Sequence, residues 1–168
     1  MMKETLMGVL VTLTLATPAQ AEKAEDSIEC LAQNIYFEAR SQSLAGQMAV
    51  GLVTRNRVLD KRFPNSFCEV VYQGPTRPSW KRDGTYYPVR HKCQFSWYCD
   101  GKADKIVDET AYQQAHRVAT YIIRSKDSFD ITDGATHYHA YYVKPSWAKS
   151  KKRIAKIEDH IFYTWKTK

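Results

Sequence analysis

Asn34-Ile35-Tyr36-Phe37-Glu38-Ala39-Arg40 is the stretch on which both the fold and its chemistry turn. It continues the apolar recurrence of Ile28 and Leu31, so the segment reads as one amphipathic helix. At about 100° per residue from Ile28, Leu31 falls at about 300°, Ile35 at about 340° and Glu38 at about 280°. The Glu38 carboxylate therefore points to the edge of the apolar stripe, not to the wet face. Apolar surroundings disfavour the charged form of a carboxyl and raise its pKa. A carboxyl that stays protonated near neutral pH is what a general acid needs. The competing reading is a rim glutamate that reaches water or pairs with Arg40.

Outward from this helix, the pattern predicts a mainly helical chain. Asp26-Ser27-Ile28-Glu29 offers a capping-box-like start for the first helix, which runs to about Arg40. Leu44 to Leu59 forms a second, with Ala45, Met48, Ala49, Leu52 and Val53 on one face. A turn at Arg62 to Ser66 leads into a short helix through Cys68 to Tyr72. Gly74 to His91 carries Pro75, Pro78, Gly84 and Pro88 and reads as a long loop. Asp108 to Arg124 is a third long helix, with Ala111, Ala115, Val118, Ala119 and Ile122 inward. Thr136 to Val143 and His160 to Trp165 are aromatic and β-rich, and are expected to pair as a small antiparallel sheet. Alternation puts Tyr138 and Tyr142 on one face, and His137, His139 and Tyr141 on the other. The class is α+β, mainly helical.

The first residues read as a targeting segment. Leu6 to Ala16 is apolar but too short for a comfortable membrane span, and Ala19-Gln20-Ala21 fits a cleavage site. Residues 1–21 are thus expected to be a cleaved secretory signal, with an uncleaved anchor as the alternative. Residues 22–168 form one domain, with no linker or repeat dividing them. The chain carries 25 Lys and Arg against 18 Asp and Glu, a net charge of +7. That balance favours anionic partners such as cell-wall polymers, while export argues against nucleic acid. The cluster from Lys149 to Arg153 reads as a solvated face.

Cys30, Cys68, Cys93 and Cys99 make an even set in an exported chain, which points to two disulfides. Three pairings are possible. Cys30–Cys68 with Cys93–Cys99 is favoured, because the second closes a short loop and leaves the first to tie a helix to a downstream turn. Zinc is the competing reading, but the Cys-x5-Cys spacing fits a structural zinc site poorly.

Several segments together resemble one family. Glu29-Cys30-Leu31-Ala32 leads into Ile35 to Arg40, then Gly46-Gln47-Met48-Ala49-Val50 and Asn56-Arg57-Val58. Phe63 to Gln73, Cys93-Gln94-Phe95-Ser96-Trp97, Gly134 to Ala140, Pro145-Ser146-Trp147, Ile157 and His160 to Tyr163 follow in order. This pattern resembles the SleB-type cell wall hydrolases, which include spore cortex-lytic enzymes, and covers nearly all of residues 22–168. The resemblance implies a lysozyme-like domain acting on peptidoglycan glycan strands, with Glu38 as the catalytic acid. One departure stands out: the family commonly continues Glu-Ala-Arg-Gly-Glu, whereas this chain has Ser41-Gln42. No role can rest on that second acid, and the glycine's turn geometry must be met another way.

Glycoside hydrolysis usually needs a second carboxylate. Asp100, Asp130 and Asp133 are candidates, each in a turn-rich stretch where Asp is ordinary. If none faces Glu38, lytic transglycosylation is the natural chemistry, and spore-type relatives suggest it. Gln47, Gln94, Ser96, Trp97, Thr136, His137, Tyr138 and His139 are expected to line the cleft, with Trp97 suited either to stacking on a sugar or to filling core beside the disulfide. No cofactor is expected, and the chain is expected to act as a monomer. The rival enzyme reading joins His137, His139 and His160 as a zinc site for a peptidoglycan amidase or peptidase, although no His-Glu-x-x-His motif is present. A third reading is a non-catalytic wall-binding module. It accounts for Trp80, Trp97, Trp147 and the charge, but not for Glu38 on an apolar edge.

Overall fold

The computed structural model describes residues 18–125 and 129–166. Most of the expected signal, residues 1–17, lies outside the described residues. Among those described, no helix is long and apolar enough to cross a membrane.

Helix α1 spans Pro18–Ala39, α2 Leu44–Leu59, α3 Phe67–Val71 and α4 Glu109–Arg124. The first helix starts earlier than the sequence suggests. Ser27 does not cap it; its hydroxyl donates to the Lys23 carbonyl at 2.9 Å, the bond of a mid-helix serine. Ala19, Ala21 and Ala24 favour helix strongly enough to carry it through that point. Helix α4 begins where Asp108 caps it, its side chain accepting from Ala111 N at 3.0 Å.

The main core is shared by α1, α2 and α4. Ile28, Leu31, Ile35 and Tyr36 meet Leu52 and the α4 row Ala115, Val118, Ala119 and Ile122. Gly51 permits that approach, because a Cβ there would overlap Ile122 and lie 3.0 Å from Ile35 Cδ1. Helix α2 is the central element and is buried on more than one face, from Gly46 to Arg57. Ala45, expected inward, is exposed.

Strands β1 (Thr76–Pro78) and β2 (Tyr86–Pro88) form an antiparallel hairpin inside the segment read as a loop. Strand β3 (His137–Ala140) pairs with β5 (His160–Trp165) as expected, in register Tyr138↔Phe162 and Ala140↔His160. A further strand, β4 (Lys151–Ile157), joins the other edge of β5, giving the order β3-β5-β4. It includes most of the basic cluster that sequence reads only as a solvated face. Strand β3 ends at Ala140, so the exposed Tyr142 does not share a face with Tyr138. The sheet packs on α2 through Ala49, Val53, Ala135 and the fully buried Phe162, a side chain whose burial is worth about 2–3 kcal/mol.

Both favoured disulfides are present. Cys30–Cys68 ties α1 to α3, and Cys93–Cys99 closes the loop that ends in the short 3-10 turn Ser96–Cys99. The departure at Ser41-Gln42 is absorbed by the sheet. Gln42 Nε2 donates to Asp159 Oδ2 at 3.0 Å, and Ser43 Oγ donates to Glu158 Oε1 at 2.6 Å. The α1–α2 turn is thus pinned to the β4–β5 turn without a positive φ at Ser41 or Gln42.

Candidate active site

Glu38 lies in the last turn of α1, where the helix dipole places partial negative charge. It keeps some contact with solvent while protein surrounds its carboxyl on most sides. Two groups face it. Tyr138, from β3, donates its hydroxyl to Glu38 Oε2 at 3.0 Å, and Arg57, from the last turn of α2, supplies a positive charge. Burial raises the Glu38 pKa, and the hydrogen bond and Arg57 oppose that rise without cancelling it. The Tyr138 hydroxyl is itself held well above its ordinary range, chiefly by burial and then by the Glu38 charge. It remains a proton donor throughout the neutral range.

Arg57 is the residue that sequence reasoning left without a role. Its signal was a cation four residues after Val53, on the row Ala49 and Val53 that packs on the sheet. The side chain is 5% exposed, and Nε donates to the Thr136 carbonyl at 2.8 Å. Its guanidinium lies over Phe95 at 4.9 Å and Phe63 at 5.5 Å. Burial lowers its pKa, and the charges of Tyr138 and Glu38 oppose that. An arginine so placed stays a cation even when desolvated.

The expected cleft residues separate into two groups. Glu38, Tyr138 and, through Arg57, Thr136 converge. Phe95 under Arg57 brings the exposed Gln94 and Ser96 to the surface on either side of it. Trp97 packs mainly inward. It is 8% exposed, stacked on Phe37 at 4.6 Å, and its indole N–H donates to buried Asn34 at 3.0 Å. Its edge borders a cavity of about 310 Å³ beside the last turn of α1, shared with Phe37, Arg40 and Lys105. Gln47 is also buried, with its amide donating to the Gln42 carbonyl at 3.2 Å.

His137 and His139 sit on the opposite face of the sheet from Tyr138. His137 packs edge-on against Trp165, and burial first, then the charges of Arg57, Lys151 and Arg62, lowers its pKa to about 4. His139 donates from Nδ1 to its neighbour's carbonyl and shares a hydrogen bond between Nε2 and the Tyr163 hydroxyl, each at 2.9 Å. His160 shares the Tyr138 face, at 4.9 Å between ring centroids. The strand register therefore separates His160 from the other two, and the three-histidine site loses its geometry. Among the described residues, no cluster of His, Cys, Asp and Glu is arranged to hold a metal.

No candidate carboxylate partners Glu38. Asp130 is the knot of its own turn, accepting from Asn56 Nδ2 at 2.8 Å, Thr132 N at 2.8 Å and Gly134 N at 2.9 Å. Burial would raise its pKa, but these bonds bring it below the ordinary value. Asp100 accepts from Lys102 N at 2.8 Å, and Asp133 is an exposed turn residue with φ 47°.

A family profile described as Cell Wall Hydrolase matches residues 41–163, beginning just past Glu38. The spore cortex-lytic enzyme of Halalkalibacterium halodurans is 28% identical over 148 residues, covering 88% of this chain and 37% of that protein. The spore cortex-lytic enzyme of Bacillus subtilis (strain 168) is 26% identical over 159 residues, covering 87% and 44%. The chain thus matches less than half the length of these relatives. Among solved structures, the catalytic domain of the germination-specific lytic transglycosylase SleB from Bacillus anthracis aligns with a TM-score of 0.57 at 25% identity. That alignment covers 83% of this chain and 95% of that one. The catalytic domain of Bacillus cereus SleB gives 0.56 at 24% identity, covering 83% and 91%.

Proposed function

Because the chain belongs to the cell wall hydrolase family, we propose that it cleaves peptidoglycan glycan strands by lytic transglycosylation, with Glu38 as acid and then base. The observation that carries this reading is a single enclosed carboxyl faced by a phenol and a guanidinium, with no second carboxylate hydrogen-bonded or charge-coupled to it among the described residues. Protonated Glu38 gives its proton to the glycosidic oxygen as the bond from the sugar's C1 breaks. The Glu38 carboxylate then takes the proton of the same sugar's 6-hydroxyl as that oxygen bonds to C1, closing an anhydro ring. The balance needs no water and no second acid, unlike hydrolysis. Arg57 and the Tyr138 hydroxyl hold the carboxylate in its charged interval. On this reading the exposed Gln94 and Ser96 contact the sugar from the rim.

The activity is extracytoplasmic on this reading, with the net charge of +7 holding the enzyme near an anionic wall. The test is mass spectrometry of soluble products from purified peptidoglycan, comparing wild type with Glu38→Gln, with and without a chelator. Anhydro-muropeptides from wild type alone, indifferent to chelator, are expected. Reducing-end muropeptides would mean hydrolysis. Free stem peptides that vanish with chelator but survive in Glu38→Gln would sink the glycan-cleaving reading.

A further inference from the structure

The β1–β2 hairpin stands clear of the core. Its strand residues are exposed apart from the half-buried Pro88, and a lone two-stranded hairpin is marginal in water. Yet it carries three large aromatics to the surface: Trp80 is 87% exposed, Tyr86 63% and Tyr87 50%. Packing does not account for them.

The hairpin is nonetheless a fixed object. Ser79 N donates to the Thr85 carbonyl at 2.7 Å, and Val89 N donates to the Pro75 carbonyl at 2.8 Å. At its base Gly74 lies so close to Cys93 that a Cβ would come within 2.9 Å of Sγ, which ties the arm to the Cys93–Cys99 disulfide. A platform held this way binds without first losing its own freedom.

Trp80 borders two hollows. One, of about 540 Å³, extends toward Arg82 and Tyr86, and the other, of about 390 Å³, toward Arg77 and Tyr87. Cations therefore flank the ring, and Lys81 Nζ lies 5.8 Å from its centroid. A large continuous exposed apolar patch would point to a protein or lipid partner. Here single exposed aromatics alternate with cations and with the exposed Thr85. That chemistry suits a pyranose, whose C–H face stacks on an indole, in a polymer that also carries carboxylates.

We propose that the hairpin is a glycan-binding platform separate from the Glu38 chemistry. Trp80 stacks on a sugar ring of the peptidoglycan strand, and Arg77, Lys81 and Arg82 meet its carboxylates. The identity of the ligand rests on the glycan-cleaving reading above.

The test is co-sedimentation with purified sacculi, using the Glu38→Gln chain so that the polymer survives. Trp80→Ala, Trp80→Phe and Phe129→Ala are added in turn, the last being an exposed aromatic outside the hairpin. Trp80→Ala should weaken retention about ten-fold, the scale of one lost aromatic stack. Trp80→Phe should recover most of it, and Phe129→Ala should bind like its parent. Equal retention of Trp80→Ala and its parent would overturn the platform, as would a parent that does not sediment. So would the same Trp80 dependence on phosphatidylglycerol vesicles. Product release by wild type is followed on the same sacculi. Release with unchanged Trp80→Ala retention sinks the platform alone; Trp80-dependent retention without release sinks the cleavage reading and leaves the platform standing.

Discussion

Tyr138 donates its hydroxyl to Glu38 Oε2 at 3.0 Å, joining residues 100 positions apart. The bond runs between β3 and the last turn of α1, so the sheet sets the acid's position as much as the helix does. It also opposes burial. Burial favours the protonated acid, and the phenol together with Arg57 favours the carboxylate. A group that must first give and then take a proton needs both pulls.

Tyr138→Phe should keep the fold, because the ring still packs on Phe162 and His160. Turnover on peptidoglycan should fall about 10- to 100-fold, the scale of one hydrogen bond to a charged group. The hydroxyl lowers the Glu38 pKa, so its removal should also move the alkaline limb of the pH–rate profile to higher pH. A profile that drops in height without moving would mean Tyr138 acts on the substrate and not through Glu38.

Glu38 also sets a pH dependence of stability. Its pKa in the folded chain lies above that in the unfolded chain, chiefly through burial, so the folded state holds the proton more tightly. That contribution is complete below the unfolded pKa and is lost as pH rises through the folded pKa. Glu38→Gln keeps the neutral shape at every pH. It should be more stable than wild type at about pH 7.5, with the difference shrinking toward about pH 4. Paired urea melts at the two pH values measure it, and a mutant less stable at both would contradict the burial account.

The helices were legible because their burial is periodic. Helix α2 has the bounds that spacing gave, and α4 begins one residue after its Asp108 cap. Strands β1 and β2 were not legible, since residues exposed on both faces leave no alternation to detect. Strand β4 was hidden by the Lys and Arg along an edge strand, a common way to block further pairing. Within the site, the helical angle of Glu38 pointed to the apolar rim, and ordered motifs pointed to the family that the profile match then bore out. The Tyr138 and Arg57 partnership depends on strand register and helix crossing, which no local spacing encodes. The same limit left Trp97 open between sugar stacking and core, because its partner Asn34 lies 63 residues away.

Asp130 contrasts a structural carboxylate with Glu38, the one proposed to be catalytic. Asp130→Ala removes the acceptor for Asn56, Thr132 and Gly134 together, and should cost about 2–4 kcal/mol in urea unfolding. Activity per folded molecule should change little. An unaltered melt with abolished turnover would make Asp130 the missing second carboxylate and restore hydrolysis.

Trp97→Phe tests whether this ring belongs to the core. It keeps much of the stack on Phe37 but leaves the Asn34 oxygen without its donor, which should cost about 1–3 kcal/mol of stability. KM on soluble glycan fragments should stay within about two-fold, since loss of a stacked sugar would cost nearer ten-fold. A stable mutant with a raised KM would return Trp97 to the cleft.

The two disulfides should differ in what their removal costs. Cys30 and Cys68 are 38 residues apart and Cys93 and Cys99 only 6, so the first restrains far more of the unfolded chain. Chain-entropy scaling gives about 4 kcal/mol for the longer loop and about 2 kcal/mol for the shorter. The structural consequences differ as well. Cys30–Cys68 clamps α3 to the helix that carries Glu38, whereas Cys93–Cys99 anchors the loop that holds Phe95 under Arg57 and the base of the hairpin. Cys30→Ala/Cys68→Ala should therefore show the larger drop in urea midpoint. Cys93→Ala/Cys99→Ala should lose sacculus retention and turnover out of proportion to its stability. Equal midpoint losses, with activity tracking stability in both, would show that neither loop is specifically restrained.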